Sequence, residues 1–247
     1  MRPSFLLSAL LFFLTGMSHA QDINRQCIPL IGDKAPTFTA ASTEGTITFP
    51  DDFGKNWKIL FSHPADYTSV CSSEIIELAT VQQDFESLGV KLAVISTDAL
   101  DKHFSWKKSL ETVRYLGRDP VKINFPIIAD ENKVIAGTYG MLQPESQFLK
   151  NVRGVFIINP ADRIEAVFFY PNHVGRDIGE IKRTVIALQT TFANDVLTPA
   201  NWKPGDDVMV PYLHSIDEAT VKSDDHDPGI YAVTWYMLFK KLESQEK

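Results

Sequence analysis

The sequence predicts an α/β protein: a mixed central sheet flanked by helices, followed by a C-terminal extension of different character. Three observations carry this. Short apolar runs of strand length alternate with stretches whose apolar residues step by three and four. Two strong strand signals late in the pattern are joined by Asn159-Pro-Ala-Asp-Arg163, a hairpin connection. After Asn194 the texture changes, with Pro199, Trp202, Pro204, Gly205, Asp206 and Asp207 marking a boundary. The chain has 247 residues, 44% hydrophobic and 22% charged, values ordinary for a globular protein. That length can bury a full core, as one domain plus an extension or as two small domains.

In chain order, the first segment stands apart. Arg2 is followed by an apolar run from Phe5 to Leu14 and then by Ser18-His19-Ala20, a small-x-small cleavage pattern. Residues 1–20 are expected to be a secretory signal peptide, too short and wrongly flanked for a membrane span. The alternative is a buried apolar helix. No lipobox precedes Cys27, so a lipid anchor is not indicated, and no other segment is long and apolar enough to cross a bilayer. The expected location is secreted or periplasmic. The expected division is 1–20 signal, 21–195 main domain and 196–247 C-terminal extension.

Residues 21–33 look irregular apart from the apolar Ile28 to Ile31. Lys34 to Phe38 and Thr46 to Phe49 read as extended pieces around a turn at Glu44-Gly45. Trp57 to Ser62 reads as a strand, and Ile75, Ile76, Leu78, Ala79, Val81 and Phe85 as the apolar face of one helix. Lys91 to Ser96 fits a buried parallel strand, and His103 to Leu116 a helix stopped by Gly117 and Pro120. Phe125 to Ala129 is a short strand and Asn132 to Tyr139 a short helix. Val152 to Ile158 and Ile164 to Tyr170 are the hairpin strands, and Ile178 to Phe192 is a long amphipathic helix. This order is a thioredoxin-like layout. The last fifteen residues are aromatic and helix-like.

Charge and cysteine usage narrow the function. The net charge is −7 and the basic residues are scattered, which argues against a nucleic-acid partner. Asp224-Asp-His-Asp227 and the other histidines lack zinc-ligand spacing, so no metal is expected, and the acidic cluster reads as a solvated loop. Cys27 and Cys71 are too sparse for a disulfide framework. They fit a redox enzyme or a lone structural bridge.

The chemistry centres on Phe61-Ser-His-Pro-Ala-Asp-Tyr-Thr-Ser-Val-Cys-Ser-Ser-Glu74. A strand feeds a short loop holding Pro64 and Asp66, and the loop enters a helix. Cys71 falls in or just before the first helical turn, where free N–H groups and the macrodipole favour an anion. A thiol there is biased towards thiolate, the nucleophilic form. Thr68 stands at the helix entrance, where its hydroxyl can cap or face the sulfur. The competing reading of position alone is a cysteine buried as a small hydrophobe.

The spacing Pro64-x-x-x-Thr68-x-x-Cys71 resembles the active-site signature of the peroxiredoxins, and the flanking residues resemble their 1-Cys branch. Thr198-Pro-x-x-Trp-Lys-Pro-Gly-Asp206 with Val208-Met-Val210 resembles the C-terminal extension of that branch, which packs in a homodimer interface. The resemblance implies a thiol-dependent peroxidase that reduces hydrogen peroxide and organic hydroperoxides through a Cys71 sulfenic acid, without cofactor. It implies an external thiol reductant of thioredoxin, glutaredoxin or glutathione type. It points to Arg153 as the group that stabilises thiolate and departing oxygen, against a solvated edge-strand arginine. Arg176 resembles a second arginine that orients the site. Thr68 would hydrogen-bond peroxide or sulfur, or act as a plain N-cap. Pro64 would shield the thiolate while fixing the turn. Glu74 would pair with an active-site arginine or complement the helix N-terminus, and His63 matches the histidine before the proline or is simply structural.

Two departures stand out. Ser69 replaces the usual proline before Val-Cys, and Asn56 in Gly54-Lys-Asn-Trp-Lys58 replaces the serine of a lipase-like segment found in some relatives, so phospholipase activity is not carried over. No downstream cysteine exists to resolve Cys71, so either an outside thiol or Cys27 must do so. Two further readings compete. A thioredoxin-class thiol-disulfide oxidoreductase needs Cys-x-x-Cys, which Cys71-Ser-Ser-Glu74 lacks. A non-catalytic binding protein would keep its function in Cys71→Ser.

Overall fold

The computed structural model describes residues 28–142, 150–211 and 229–241. Residues 1–20, expected to be a signal peptide, Cys27 and the Asp224–Asp227 cluster lie outside the described residues. A hairpin of β1 (Phe38–Ser42) and β2 (Gly45–Phe49) leads to β3 (Trp57–Ser62). Helices α1 (Ser69–Thr80) and α2 (Gln82–Ser87) follow, then β4 (Val90–Ser96), α3 (Leu100–Leu110), β5 (Ile127–Ala129) and α4 (Val134–Thr138). The hairpin β6 (Arg153–Ile158) and β7 (Ile164–Tyr170) precedes the long α5 (Ile178–Asn194). These strands form one seven-stranded sheet in the order β2-β1-β5-β4-β3-β6-β7. The β3-β4-β5 pairs are parallel and the outer pairs antiparallel, giving the mixed sheet expected.

Strand side chains alternate between the two faces. Ile59, Phe61, Val155 and Ile157 meet Ile75 and Leu78 of α1, Trp106 of α3 and Ile181 of α5 on one face. Leu60, Phe156 and Ile158 meet Ile135 and Ala136 of α4, Phe49 and Tyr139 on the other. The extension packs on the outside of α5, where Trp202, Val196 and Val208 bury against Ala187.

Some boundaries differ from the sequence pattern. The single helix expected through Val81 and Phe85 is two, because Val81 leaves helical geometry at φ −107°, ψ 10°. The Thr80 hydroxyl donates to the Ile76 carbonyl at 2.8 Å just before the break, a bond that bends helices. Helix α3 begins at Leu100 and stops at Leu110, short of Leu116. The Glu111 carboxylate accepts the Ile123 N–H at 3.0 Å, turning the chain away, and leaves Leu116 exposed. Helix α4 begins two residues later than expected, its first turn capped by the Asp130 carboxylate, which accepts from Ile135 and Ala136.

The tail departs most. Rather than helix, its described part forms β9 (Ile230–Thr234) and β10 (Met237–Lys240), which pair antiparallel, with β10 also pairing to β8 (Val208–Met209). Ile230 to Thr234 is rich in β-branched and aromatic residues, which favour the pleated form over helix. Tyr231 stacks on Phe239 across the pair, with ring centroids 5.5 Å apart.

Candidate active site

Strand β3 delivers the site. Beyond its last residue the His63 N–H still donates to the Ile95 carbonyl at 3.0 Å, and Pro64, which has no N–H, ends the pairing. Pro64 is buried in the loop that follows. Tyr67 takes a left-handed φ of 59°, and Thr68 then begins α1 as its N-cap residue in extended geometry. The Thr68 carbonyl accepts from the Ser72 N–H at 2.9 Å. Its hydroxyl does not cap the helix; it donates to the Ala65 carbonyl at 3.0 Å and bridges the loop instead.

Cys71 is the third residue of α1, a free thiol with 0% of its surface exposed. Three residues on, and so on the same helix face, is Glu74, also buried. The antiparallel register of β3 and β6 pairs Phe61 with Val155. Continued by two residues, it sets Arg153 at the end of β3, beside the start of α1. Arg153 Nη1 donates to Cys71 Sγ at 3.3 Å and to Glu74 Oε2 at 2.6 Å. Its Nε and Nη2 donate to the Asn172 carbonyl at 3.1 and 2.7 Å. The guanidinium is only 2% exposed, so the solvated reading of Arg153 fails.

Arg176, two residues before α5, completes the network. Its Nε and Nη2 donate to the two Glu74 oxygens at 2.9 and 2.8 Å, and its backbone N–H adds a bond of 2.9 Å. Its Nη1 reaches the Ser62 and Gly154 carbonyls, each at 2.8 Å, while its plane lies over the Phe61 ring. Gly154 lets β6 lie close to Ser62: an added Cβ would lie 3.1 Å from Ser62 Oγ. Burial pushes the Glu74 carboxyl up, but the hydrogen bonds and charge of Arg176, with the charge of Arg153, hold it below the usual range. Arg176 thus orients Arg153 through Glu74, and it also interacts electrostatically with Cys71.

Behind the loop lies a cluster that includes groups the sequence reading did not single out. The Asp66 carboxylate meets His63 Nε2 at 2.8 Å and His103 Nδ1 at 2.6 Å, and all three side chains are buried. His63 packs on Trp106 with centroids 5.0 Å apart, and Trp106 Nε1 donates to Ser72 Oγ at 3.3 Å. Burial holds the His63 imidazole below its ordinary 6.5, outweighing the opposing bond from Asp66. The signal that could have found His103 was its spacing: with Trp106 and Leu110 it lies on the buried face of α3.

Burial alone would raise the Asp66 carboxyl, but the bonds from His103 and His63 outweigh it and lower it from 3.8 to about 2. Such a group stabilises the fold fully above its unfolded value and loses that contribution as pH falls through the folded one. The shift corresponds to about 2 kcal/mol. Urea denaturation at decreasing pH is expected to show stability falling below about pH 4, with a shallower fall in Asp66→Asn. Glu74 adds to the acid loss in both proteins, so the difference between them isolates Asp66. Equal slopes would contradict this account.

A buried free thiol at a helix start, met by a guanidinium on a thioredoxin-like sheet, defines a thiol-dependent oxidoreductase. The fourth position of a Cys-x-x-Cys is filled here by Glu74, tied to both arginines, which disfavours disulfide exchange of the thioredoxin class.

Comparison with known proteins narrows the class. The AhpC/TSA family matches residues 31–167, and the C-terminal domain of 1-Cys peroxiredoxin matches residues 187–223. A peroxiredoxin of Methanosarcina mazei is 43% identical over 215 residues, covering 87% of this chain and 98% of its own length. A solved yeast mitochondrial 1-Cys peroxiredoxin superposes with a TM-score of 0.74 at 34% identity, over 87% of this chain and 100% of that one. A mutant of the peroxiredoxin 6 of Arenicola marina gives 0.74 at 31% identity, over 87% of this chain and 99% of that one. The chain belongs to the peroxiredoxin family, in its 1-Cys/AhpC-TSA group. It is a thiol-dependent peroxidase.

Proposed function

We propose that Cys71 is the thiol that attacks peroxide, and that the protein reduces hydrogen peroxide and organic hydroperoxides at the expense of an external thiol. The Arg153–Cys71 contact of 3.3 Å carries this reading. The thiolate attacks the terminal peroxide oxygen, the O–O bond breaks, and that oxygen stays on sulfur as sulfenic acid. The leaving oxygen takes a proton and departs as water or alcohol. Arg153 donates where negative charge resides, first on sulfur and then on the leaving oxygen, while Glu74 and Arg176 fix its orientation. Pro64 and Thr68 shape the loop over the sulfur, and His63 supports that loop from behind.

A first external thiol then displaces water from the sulfenic acid to form a mixed disulfide. A second thiol releases the oxidised reductant and returns Cys71. The yeast relative's thiol resolving mechanism runs via glutathione/thioredoxin systems, which supports a thiol of that type here. Residues 1–20 serve as a secretory leader, supported by Arg2, the Phe5 to Leu14 run and Ser18-His19-Ala20, placing the protein outside the cytoplasm or in the periplasm. Residues 21–195 form the catalytic domain, and residues 196–247 serve homodimerisation. The exposed Tyr231, Val233 and Tyr236 of the tail sheet support an apolar contact of that kind.

Peroxide consumption with dithiothreitol as the thiol tests the reading. Wild-type protein is expected to turn over and Cys71→Ser to lose all activity above the uncatalysed rate. Activity retained in Cys71→Ser would overturn the assignment.

A further inference from the structure

The sulfur is fully buried, yet the reaction cycle requires a second, bulkier thiol to reach it. The loop from Ser62 to Thr68 leads straight into the first turn of α1, where Cys71 is the third residue; attack by an external thiol needs that segment displaced. What holds the loop is therefore part of the catalytic cycle.

Asp66 sits midway between Pro64 and Thr68 and is tied down on several sides. Its carboxylate meets His103 of α3 at 2.6 Å and His63 at 2.8 Å, and its backbone N–H donates to Asp98 Oδ2 at 2.6 Å. Asp98 is held in turn by Lys102 at 2.8 Å. Next to Asp66, Tyr67 keeps a left-handed φ of 59°, a conformation that persists only where its surroundings impose it. Among the described residues, the outer nitrogens, His63 Nδ1 and His103 Nε2, have no hydrogen-bond partner. Each imidazole therefore turns its inner nitrogen to Asp66. A second proton on His63 would put an N–H without an acceptor in the interior, and Arg176 adds its charge against it. The bridge is a buried carboxylate held between two imidazole nitrogens.

We propose that His103 and Asp66 form a clamp that holds in place the loop leading into the Cys71 turn of α1, and that its strength sets how readily an external thiol reaches the oxidised sulfur. His103 is a positioning residue in this scheme, acting through Asp66 from a different helix and touching no reacting atom. The inference rests on Cys71 as the reacting thiol.

The two half-reactions separate a clamp from a merely structural role. Removing one charge-assisted hydrogen bond shifts the open population about tenfold. In His103→Leu, reduction of the Cys71 sulfenic acid by dithiothreitol is expected to accelerate about tenfold. Oxidation by hydrogen peroxide, which uses the closed majority state, is expected to fall less than about twofold. His103→Asn keeps a donor at the Nδ1 position and is expected to restore both rates to within about twofold of wild type. If His103→Leu does not fold, Asp66→Asn takes its place, with the same rise in reduction expected. Stopped-flow mixing of reduced protein with peroxide, then of oxidised protein with dithiothreitol, reads both steps. Unchanged or slower reduction in the folded variant, or no rescue by asparagine, overturns the clamp. Failure of wild-type protein to be oxidised in the same run would instead overturn the assignment of Cys71.

Discussion

Arg153→Met is expected to lower the rate constant for Cys71 oxidation by about 10²- to 10³-fold, the usual cost of losing one preorganised donor to developing charge. Methionine fills much of the same volume while the charge and its donors go. Glu74 retains Arg176 at 2.8 and 2.9 Å, so its carboxylate is not left unpaired and the fold survives. Arg153→Lys is expected to fall between, because one ammonium cannot reach sulfur, Glu74 and the Asn172 carbonyl together as the planar fork does. Stopped-flow oxidation with hydrogen peroxide measures both variants. A rate within about twofold of wild type in Arg153→Met would mean that the guanidinium contact is incidental to the chemistry.

Glu74→Gln carries the largest expected cost in stability. The carboxylate lies between two buried guanidinium groups and accepts from both. Removing the charge leaves Arg153 and Arg176 facing each other without the carboxylate between them, and breaking a buried pair in this way costs about 3–5 kcal/mol. Arg176 keeps its bonds to the Ser62 and Gly154 carbonyls, but these are neutral acceptors. Urea denaturation at neutral pH is expected to rank Glu74→Gln well below Arg153→Met in stability. The reverse ranking would show that Glu74 is not the keystone of the network.

Much of this site was legible in the residues. The strand from Trp57 to Ser62 and the helix entrance at Thr68 were visible because the apolar run Ile59 to Phe61 and a prolyl loop impose them locally. The spacing of Cys71 and Glu74 put both on one helix face, though nothing local told whether Glu74 met an arginine or the helix dipole. Arg153 came from resemblance alone, since pairing β6 against β3 is a long-range event that no window of sequence encodes. Asp66 and His103 were missed for the same reason: their bond spans the loop and α3, and a histidine on an apolar helix face reads as plain packing. The tail was misread although its β-branched and aromatic residues favour a strand, because the β10 pairing with the distant β8 that completes its sheet is not encoded in any local window. Thr68 shows the opposite limit: its place as N-cap residue was evident, yet its hydroxyl serves the loop and not the helix.

The most direct test of the central assignment is intact-mass spectrometry of the reduced protein after one equivalent of hydrogen peroxide, with and without a sulfenic-acid trap. The account predicts one added oxygen on wild-type protein within seconds, trapped at Cys71 and absent in Cys71→Ser. No oxygen uptake, or uptake that persists in Cys71→Ser, would contradict it.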